Sequence, residues 1–300
     1  MNDKFNFSSK FRMANIFCLI IFLTSIIFIL FKGLNYGIDF KGGTLIELRS
    51  VNTDATSIRY LLKSMNLGDV NVKKFGQEGD YPIKVEQKDN DGNKIIPKIK
   101  KNLSDNLNAE VIFRRVENVG PKVSSELLQS GIIAISLSLA AMLFYIWIRF
   151  EWQFSLGSIV ALLHDVVITL GIFSILSLEI NLSIIAAVLT IVGYSMNDTV
   201  VIYDRIRENL NKYNRLDINE IANLSINDTL ARTIITSVTT LLALLSIFIL
   251  GGEILRGFSF AMILGVLIGT YSSIFVASPM LKFLNVTYKT LEKEEEKIVP

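Results

Sequence analysis

Long apolar runs dominate the pattern of hydrophobic and polar positions along the chain. Six runs reach the roughly 18 residues that a helix needs to cross a bilayer: Ala14–Phe31, Gly131–Ile148, Phe154–Leu178, Leu182–Tyr203, Thr233–Leu250 and Phe258–Met280. Basic residues precede the first run, as in a signal peptide, but no small-residue cleavage site follows it. The pattern therefore predicts an α-helical integral membrane protein with six transmembrane helices, the first retained as an anchor.

Basic residues distinguish the two sides of the predicted bundle. They occur in residues 1–13, at Arg149, in the connection 204–232 and in the tail 281–300, all on one side of a six-span chain. The short connections on the other side, after spans three and five, contain only Arg256. Because Lys and Arg in short loops favour the cytoplasm, we expect both termini to be cytoplasmic and residues 32–130 to be exported.

The exported segment 32–130 has the composition of a soluble domain. Its hydrophobic spacing predicts the order β-α-β-β-α-β, with elements at Thr44–Val51, Ala55–Leu67, Val70–Phe75, Tyr81–Glu86, Ile95–Leu107 and Ala109–Val116. That order is typical of the ferredoxin-like fold. We expect an α+β domain that acts either as a structural cap or as a surface that contacts another protein.

Composition and charge exclude several classes of protein. The chain is 51% hydrophobic and 19% charged, with a mean hydropathy of +0.45, whereas soluble domains carry about a quarter charged residues. A net charge of +2 provides no strong field to attract nucleic acid. Cys18 and His164 are the only residues of their types, so a disulfide within the chain and a Cys/His zinc site are excluded. We expect no enzymatic activity, metal or cofactor.

The connection 204–232 is the longest polar segment between two predicted spans. Ile218, Ile221 and Leu224 recur at helical spacing among polar residues. Such an amphipathic pattern favours a helix that lies on the membrane surface. We therefore expect an amphipathic connection on the cytoplasmic face.

Ionisable residues inside the spans are the main candidates for function. A charged side chain at the bilayer centre costs about 2.5–3.5 kcal/mol on insertion scales. Span three contains His164 and Asp165, span four contains Asp198, and Arg232 begins span five. At ~1.5 Å per residue, Asp198 lies within about 10 Å of the cytoplasmic end of its span. Asp198 and Arg232 therefore share a level and are expected to pair if spans four and five are neighbours.

Polar residues accompany these charges at helical spacing. Three stripes result: Thr190, Tyr194 and Asp198, with Asn197 beside them; Arg232, Thr236, Thr239 and Thr240; and Ser158, Asp165 and Thr169. Lipid cannot satisfy polar stripes, so they face the bundle interior, a partner or water. A hydrated stripe with an aspartate suits a proton relay.

Each of these charges also has a structural interpretation. Asp198 and Arg232 are equally compatible with a permanent ion pair that fixes helix register, and His164 with a hydrogen-bonded packing residue. Asp228 belongs to a second copy of the motif, SINDT beside SMNDT. Because that copy lies in the polar connection, where ionisation is cheap, we assign it no relay role.

Several sequence motifs resemble one family. They are GIDFKGG at 37–43, VGP at 119–121, RFEW at 149–152, LLHD at 162–165, GYSMNDTVV at 193–201, DRIREN at 204–209, RTIITSVTT at 232–240 and GTYSSIFVASP at 269–279. Together they resemble the SecF branch of the SecD/SecF family, within the resistance-nodulation-division (RND) superfamily. Lys41 is bulkier than the small polar residue expected at its position.

The resemblance implies a fold and a function. It implies a multi-pass protein of the bacterial inner membrane that pairs with SecD to form a twelve-helix unit beside the SecYEG channel and its accessory subunits. It also implies that the proton motive force, rather than a cofactor, drives late, ATP-independent steps in the export of an emerging polypeptide. The family's proton-coupling residues fall on Asp198 and Arg232, and Asn197 and Asp165 occupy further motif positions.

Two other functional classes stay open. A proton-coupled RND exporter of small molecules has similar spans, but it needs a larger exported region with a substrate cleft. A passive scaffold of a membrane complex needs no proton coupling at Asp198. Association with a second six-span protein favours the translocase over a lone exporter, and proton-dependent changes at Asp198 favour a motor over a scaffold.

Overall fold

The computed structural model describes residues 5–50, 53–65, 67, 70–72, 79–85, 92–107, 110–213 and 215–291. These residues form two compact units. The membrane unit comprises the described parts of residues 1–34, 134–178 and 183–300. The second unit comprises the described parts of 35–133 together with 179–182. Parts of the predicted strands Val70–Phe75 and Tyr81–Glu86, and of the predicted segment Ala109–Val116, lie outside the described residues.

Long helices form the membrane unit. They are α1 (Phe11–Phe31), α5 (Pro121–Arg149), α6 (Trp152–Ile175), α7 (Leu182–Lys212), α8 (Ile218–Leu250), α9 (Glu253–Ser272) and α10 (Ser278–Phe283). The first part of α5, residues 121–133, and the first residue of α7 belong to the second unit. A 3₁₀ turn, Ser8–Lys10, precedes α1, and a π-helical turn, Ser273–Ala277, joins α9 to α10. Within the described residues, six helical segments are long and apolar enough to cross a membrane, which confirms the predicted number of spans.

The expected connection 204–232 is not a separate loop. Helix α7 continues to Lys212, and α8 begins at Ile218 and runs without a break to Leu250. Asp217 caps α8, because its Oδ2 accepts a hydrogen bond from the Asn219 backbone amide at 3.1 Å. The amphipathic residues thus extend the helix of span five, since a change in polarity alone does not end a helix.

Spans three, four and six form the interior of the membrane unit, whereas spans one, two and five expose most of their length. Glycines allow close approach between spans four and six. A Cβ atom at Gly265 would collide with the Ile191 side chain, and one at Gly269 would lie 3.2 Å from Ser195 Cα. Small residues of this kind allow membrane helices to pack without the hydrophobic effect.

The second unit confirms the ferredoxin-like α+β prediction. Its strands are β2 (Gly43–Arg49), β3 (Val70–Val72), β4 (Asp80–Val85) and β5 (Ile112–Val119), and its helices are α3 (Ala55–Ser64) and α4 (Gly92–Asn106). The sheet order is β3-β4-β2-β5 with every pair antiparallel. Helix and strand residues share one core, in which Ile46, Ile58, Ile83, Ile99 and Leu103 are fully buried.

A second, two-stranded sheet joins distant parts of the chain within this unit. Strand β1 (Asn35–Tyr36) pairs in parallel with β6 (Glu179–Ile180), which lies between spans three and four. Helix α2 (Ile38–Lys41) follows β1, and its Asp39 Oδ2 accepts from the Leu182 backbone amide at 2.9 Å. Lys84 forms an ion pair with Glu179. The sequence pattern did not predict this sheet, because two-residue strands have no periodicity.

We expect Gly265→Ala to destabilise the membrane unit by about 1–3 kcal/mol, because the added methyl group overpacks the contact with Ile191. Gly193→Ala is the matched control, since the nearest atom, Met142 Cε, would lie 4.0 Å from its Cβ. Thermal unfolding of the two variants in detergent measures the difference. Equal stability of the two variants would contradict the close packing at Gly265.

Candidate functional site

Asp165 lies at the centre of a buried polar cluster. Its side chain on α6 is fully buried. Its Oδ2 accepts hydrogen bonds from Ser195 Oγ at 2.6 Å and Ser272 Oγ at 2.8 Å, and its Oδ1 lies 2.9 Å from His164 Nδ1. We call His164, Asp165, Ser195 and Ser272 the Asp165 cluster. It connects spans three, four and six through one carboxyl group.

His164 packs as well as forming a hydrogen bond. Its ring stacks on Phe22 of α1, with centroids 6.1 Å apart and an interplanar angle of 10°. It is 7% exposed, and its Nε2 has no hydrogen-bond partner within the described residues. This arrangement agrees with the packing interpretation of His164.

Asp198 has far fewer partners than Asp165. It is 3% exposed on α7, and the hydrogen bond found for its carboxyl group is a long one, from Thr270 Oγ1 at 3.3 Å. Thr270 Oγ1 lies 2.8 Å from Ser237 Oγ on α8. We call Asp198, Thr270 and Ser237 the hydroxyl chain. It links spans four, six and five, and hydroxyl groups can both donate and accept hydrogen bonds along it.

Arg232 lies near Asp198 without bonding to it. Spans four and five are neighbours, as the predicted pairing requires, because Tyr194 Oη donates to Thr240 Oγ1 at 3.5 Å. The Arg232 guanidinium is close enough to attract the Asp198 carboxylate electrostatically. Among the described ion pairs, none within 4.0 Å joins Asp198 to Arg232. The permanent ion pair considered from the sequence is therefore not formed in this structure.

The polar stripes of spans four and five are partly uncovered. Thr190, Asn197, Arg232 and Thr239 are exposed. The hydroxyl groups of Thr236 and Thr239 bond to carbonyl oxygens of their own helix. We call these exposed residues, with Thr236, the open polar face. The buried polar side chains of span five in α8 are instead Thr233 and Ser237.

The stripe of span three is buried throughout. Ser158 and Thr169 are both inaccessible, and each hydroxyl bonds to a carbonyl oxygen one turn earlier in α6. The partners that hold Asp165 lie on other helices, at Ser195 and Ser272, and the sequence stripe did not include them. The sequence signal that could have indicated these partners is the pair Gly265 and Gly269, because close packing at these glycines brings spans four and six together.

The π-helical turn orients the polar residues of span six. Ser272 bonds to Asp165, while the next residue, Ser273, lies 2.9 Å from Thr199 through their hydroxyl oxygens. Tyr203 Oη donates to the Ala277 carbonyl oxygen at 2.9 Å. Turns of this type are frequent at functional sites in helices, and here the turn lets consecutive serines contact two residues of the polar interior.

The site contains carboxyl and hydroxyl groups and a nearby guanidinium, and of these only the carboxyl groups can exchange a proton in the ordinary pH range. No group of three or more His, Cys, Asp or Glu side chains suited to a metal occurs among the described residues. Asp228 lies apart, in an ion pair with Arg205 at 2.9 Å. The two copies of the SxNDT motif thus have different surroundings.

Family models match most of the chain. The model described as "Protein export membrane protein SecD/SecF, C-terminal" matches residues 99–287, and the "SecD/SecF GG Motif" matches residues 27–53. A protein translocase subunit SecF of Rickettsia bellii is 48% identical over 279 residues, 92% of each chain. A SecF of Cereibacter sphaeroides is 42% identical over 288 residues, 90% of this chain and 86% of its own.

Solved structures agree with these relatives. The structure of SecDF, a translocon-associated membrane protein from Thermus thermophilus, matches with a TM-score of 0.84 and 36% identity over 94% of this chain. SecDF in a super-membrane-facing form matches with a TM-score of 0.70 and 34% identity over 99% of this chain. This chain spans about two fifths of each SecDF chain, 39% and 40%.

The six apolar helices and these relatives identify a multi-pass protein of the bacterial inner membrane. The match of the family model to residues 99–287, together with 48% identity across nearly the whole chain, leads to one conclusion. The chain belongs to the SecD/SecF family of protein-export membrane proteins.

Proposed function

We propose that the chain is a SecF-type subunit of the protein translocase that works with SecD. It uses the proton motive force to drive late, ATP-independent steps of export. It is a coupling subunit with no enzymatic activity and no cofactor. The main support is the geometry of Asp198, which is 3% exposed and held by one long hydrogen bond, beside a guanidinium that attracts it without contact.

Asp198 alternates between ionised and neutral forms in this proposal. When Asp198 is ionised, the attraction of Arg232 and the hydroxyl chain stabilise its charge. When it is neutral, that attraction is lost and spans four and five can shift against each other. Moving one proton charge through 100 mV supplies about 2.3 kcal/mol. That energy is enough to bias a bundle with two discrete packings.

The Asp165 cluster plays a different part in this proposal. Three hydrogen-bonding groups from three spans satisfy its carboxyl group, so a change in its protonation would break contacts in the packed interior. We assign Asp165 a positioning role, in which it holds spans three, four and six as the fixed part of the unit. Asn197 lies on the open polar face and contacts the partner.

SecD covers the open polar face in this proposal. Exposed side chains such as Asn197 and Arg232 cannot be satisfied by lipid tails, and a second polar surface or a water path between the two proteins would satisfy them. This chain spans about two fifths of each SecDF chain. That share agrees with an assembly larger than this chain. The SecYEG channel and the emerging polypeptide are the further partners.

Motion reaches the second unit along one helix. Leu182 is the first residue of α7 and belongs to the second unit, where its backbone amide donates to Asp39 Oδ2. Asp198 lies in the same uninterrupted helix, roughly 24 Å further at ~1.5 Å per residue. In this proposal a shift of span four reaches the second unit through the continuous chain of α7, as it also does through the chain connections of spans one and two.

We expect Asp198→Asn to abolish gradient-dependent export, because the amide cannot change its charge. Arg232→Lys should reduce export partially, since lysine keeps the charge but lacks the planar guanidinium. The measurement is translocation of a secreted protein into inverted vesicles that contain the full complex, with and without a proton gradient.

Asp228→Asn is the control for that experiment, because it alters the same motif outside the hydroxyl chain. It should retain the gradient response. Full gradient-dependent export by a normally assembled Asp198→Asn complex would exclude the motor and favour a passive scaffold.

We expect Ser272→Ala to lower the free energy of unfolding by about 1.5–3 kcal/mol, because it removes a hydrogen bond to a buried carboxyl group. Ser259→Ala is the control on the same helix, since the Ser259 hydroxyl is equally buried but bonds to carbonyl oxygens of its own helix. Chemical unfolding in detergent compares the two. A smaller loss for Ser272→Ala than for Ser259→Ala would contradict the positioning role of Asp165.

We expect Asp39→Ala to separate proton coupling from export. Loss of the bond to the Leu182 amide should leave proton-dependent spectral changes of span four intact while reducing translocation several-fold. Asp105→Ala, an exposed acid on α4, should alter neither. If Asp39→Ala exports normally, force does not pass through this connection.

A further inference from the structure

An open cleft of about 870 Å³ lies in the membrane unit at the end predicted to be cytoplasmic. One wall is the start of α1, with Arg12, Ile16 and Leu19, and the other is the end of span six, with Lys282 and Phe283. No part of the Asp165 cluster or the hydroxyl chain lines it. The cleft is therefore separate from the site described above.

The cleft is built by specific contacts of the N-terminal segment. Asn223 Oδ1 on α8 accepts from the Phe7 backbone amide at 2.7 Å. Asn227 exchanges two hydrogen bonds with the backbone of Phe5, at 2.9 and 2.8 Å. These bonds fix the chain just before α1 against the start of α8, so the wall that carries Arg12 has a defined position.

The mouth of the cleft is positively charged. Arg12 and Lys282 line it, and no Asp or Glu is among the described residues that line the cleft. Within the described part of the chain, neither cation has an ion-pair partner among the described salt bridges, and both side chains are exposed. The other polar lining groups are amides and hydroxyls, including Asn15 and Ser8. Such a mouth is complementary to a phosphate group with a single or double negative charge.

The walls become apolar with depth. Leu19 lies seven residues beyond Arg12 on α1, which is about 10 Å along the helix. Ile16 and Leu19 are 53% and 56% exposed and continue into the lipid-facing surface of span one. Phe283, 70% exposed, adds an apolar group beside Lys282 at the end of span six. The cleft thus has a cationic mouth at the headgroup level and an apolar wall at the level of the acyl chains.

We propose that this cleft binds one anionic phospholipid, whose phosphate contacts Arg12 and Lys282 and whose acyl chain lies along Ile16 and Leu19. A basic pocket between membrane helices on the cytoplasmic side suits this ligand, because that leaflet is negatively charged. A soluble anion would leave the apolar wall exposed, and a zwitterionic lipid would place its own cation at the basic mouth. The site is independent of proton coupling.

The test uses the full chain in non-ionic detergent with added phosphatidylglycerol, and native mass spectrometry counts the bound lipid. We expect one retained phosphatidylglycerol at low lipid concentration, with phosphatidylcholine binding at least ten-fold more weakly. Arg12→Gln combined with Lys282→Gln should weaken binding on the order of ten- to thirty-fold. Asn15→Phe, which fills the cleft but keeps both charges, should also weaken binding.

Lys10→Gln combined with Lys289→Gln is the matched control. It removes two positive charges on the same side of the protein without touching the cleft lining, and it should retain the lipid. Equal losses in the two double variants would overturn the proposal, because attraction would then be non-specific. Retention of phosphatidylcholine equal to that of phosphatidylglycerol would also overturn the proposal. Displacement of the bound lipid by inorganic phosphate at equal concentration would overturn it as well.

Two further measurements complete the test. Thermal unfolding without added lipid should be the same for all variants, and a variant that has lost stability is replaced by its single-site forms, Arg12→Gln and Lys282→Gln. The complex purified with SecD should retain the same lipid. Loss of the lipid from that complex would overturn the proposal in favour of a protein that covers the cleft.

Discussion

The cost of burying a carboxyl group in a membrane governs this structure, and the fold meets that cost in two ways. Asp165 is surrounded by donors from its own helix and two others, at distances between 2.6 and 2.9 Å. Asp198, on the neighbouring helix, has one hydroxyl partner at 3.3 Å. A fully satisfied buried group rigidifies its surroundings. A poorly satisfied one keeps its ionised and neutral forms closer in energy, which a proton carrier requires.

The helices that provide these partners also explain where motion can occur. Spans three, four and six are held together by the Asp165 cluster and by glycines that admit close contact. Span five contributes Ser237 to the hydroxyl chain, but most of its surface is exposed. Span four belongs to both arrangements, since Ser195 on α7 bonds to Asp165 and Asp198 on the same helix bonds to Thr270. Helix α7 therefore carries groups of both the Asp165 cluster and the hydroxyl chain.

Hydrophobic pattern was sufficient to predict the coarse fold. The long apolar runs predict six spans, and the hydrophobic periodicity predicts a β-α-β-β-α-β unit. Both patterns reflect which residues are buried. The pattern did not predict the length of α8, since an amphipathic segment and an apolar one can continue in a single helix. It also missed strands β1 and β6, which have two residues each. Their pairing depends on contacts between segments about 140 residues apart in the chain.

The site was predicted less completely than the fold. Intramembrane charge identified Asp165 and Asp198, because ionisable residues are rare where they are expensive. Their partners, Ser195, Ser272 and Thr270, were not identified, because serine and threonine in a span usually bond to their own helix, as Ser259 and Thr236 do here. Which hydroxyl leaves its helix to bond elsewhere depends on the helix packing and on the π-helical turn, and neither has a simple sequence signal.

The uncovered residues of spans four and five follow from the same physical constraint. Asn197 and Arg232 are exposed in segments that also expose apolar residues, such as Ile235 at 63% and Leu242 at 61%. In hydrocarbon, a guanidinium without a partner costs several kcal/mol. The polar interior of this chain is thus continuous with a surface that requires a second protein or water. In the proposed function, Asp198 beside such a surface lets proton binding be coupled to movement against a partner.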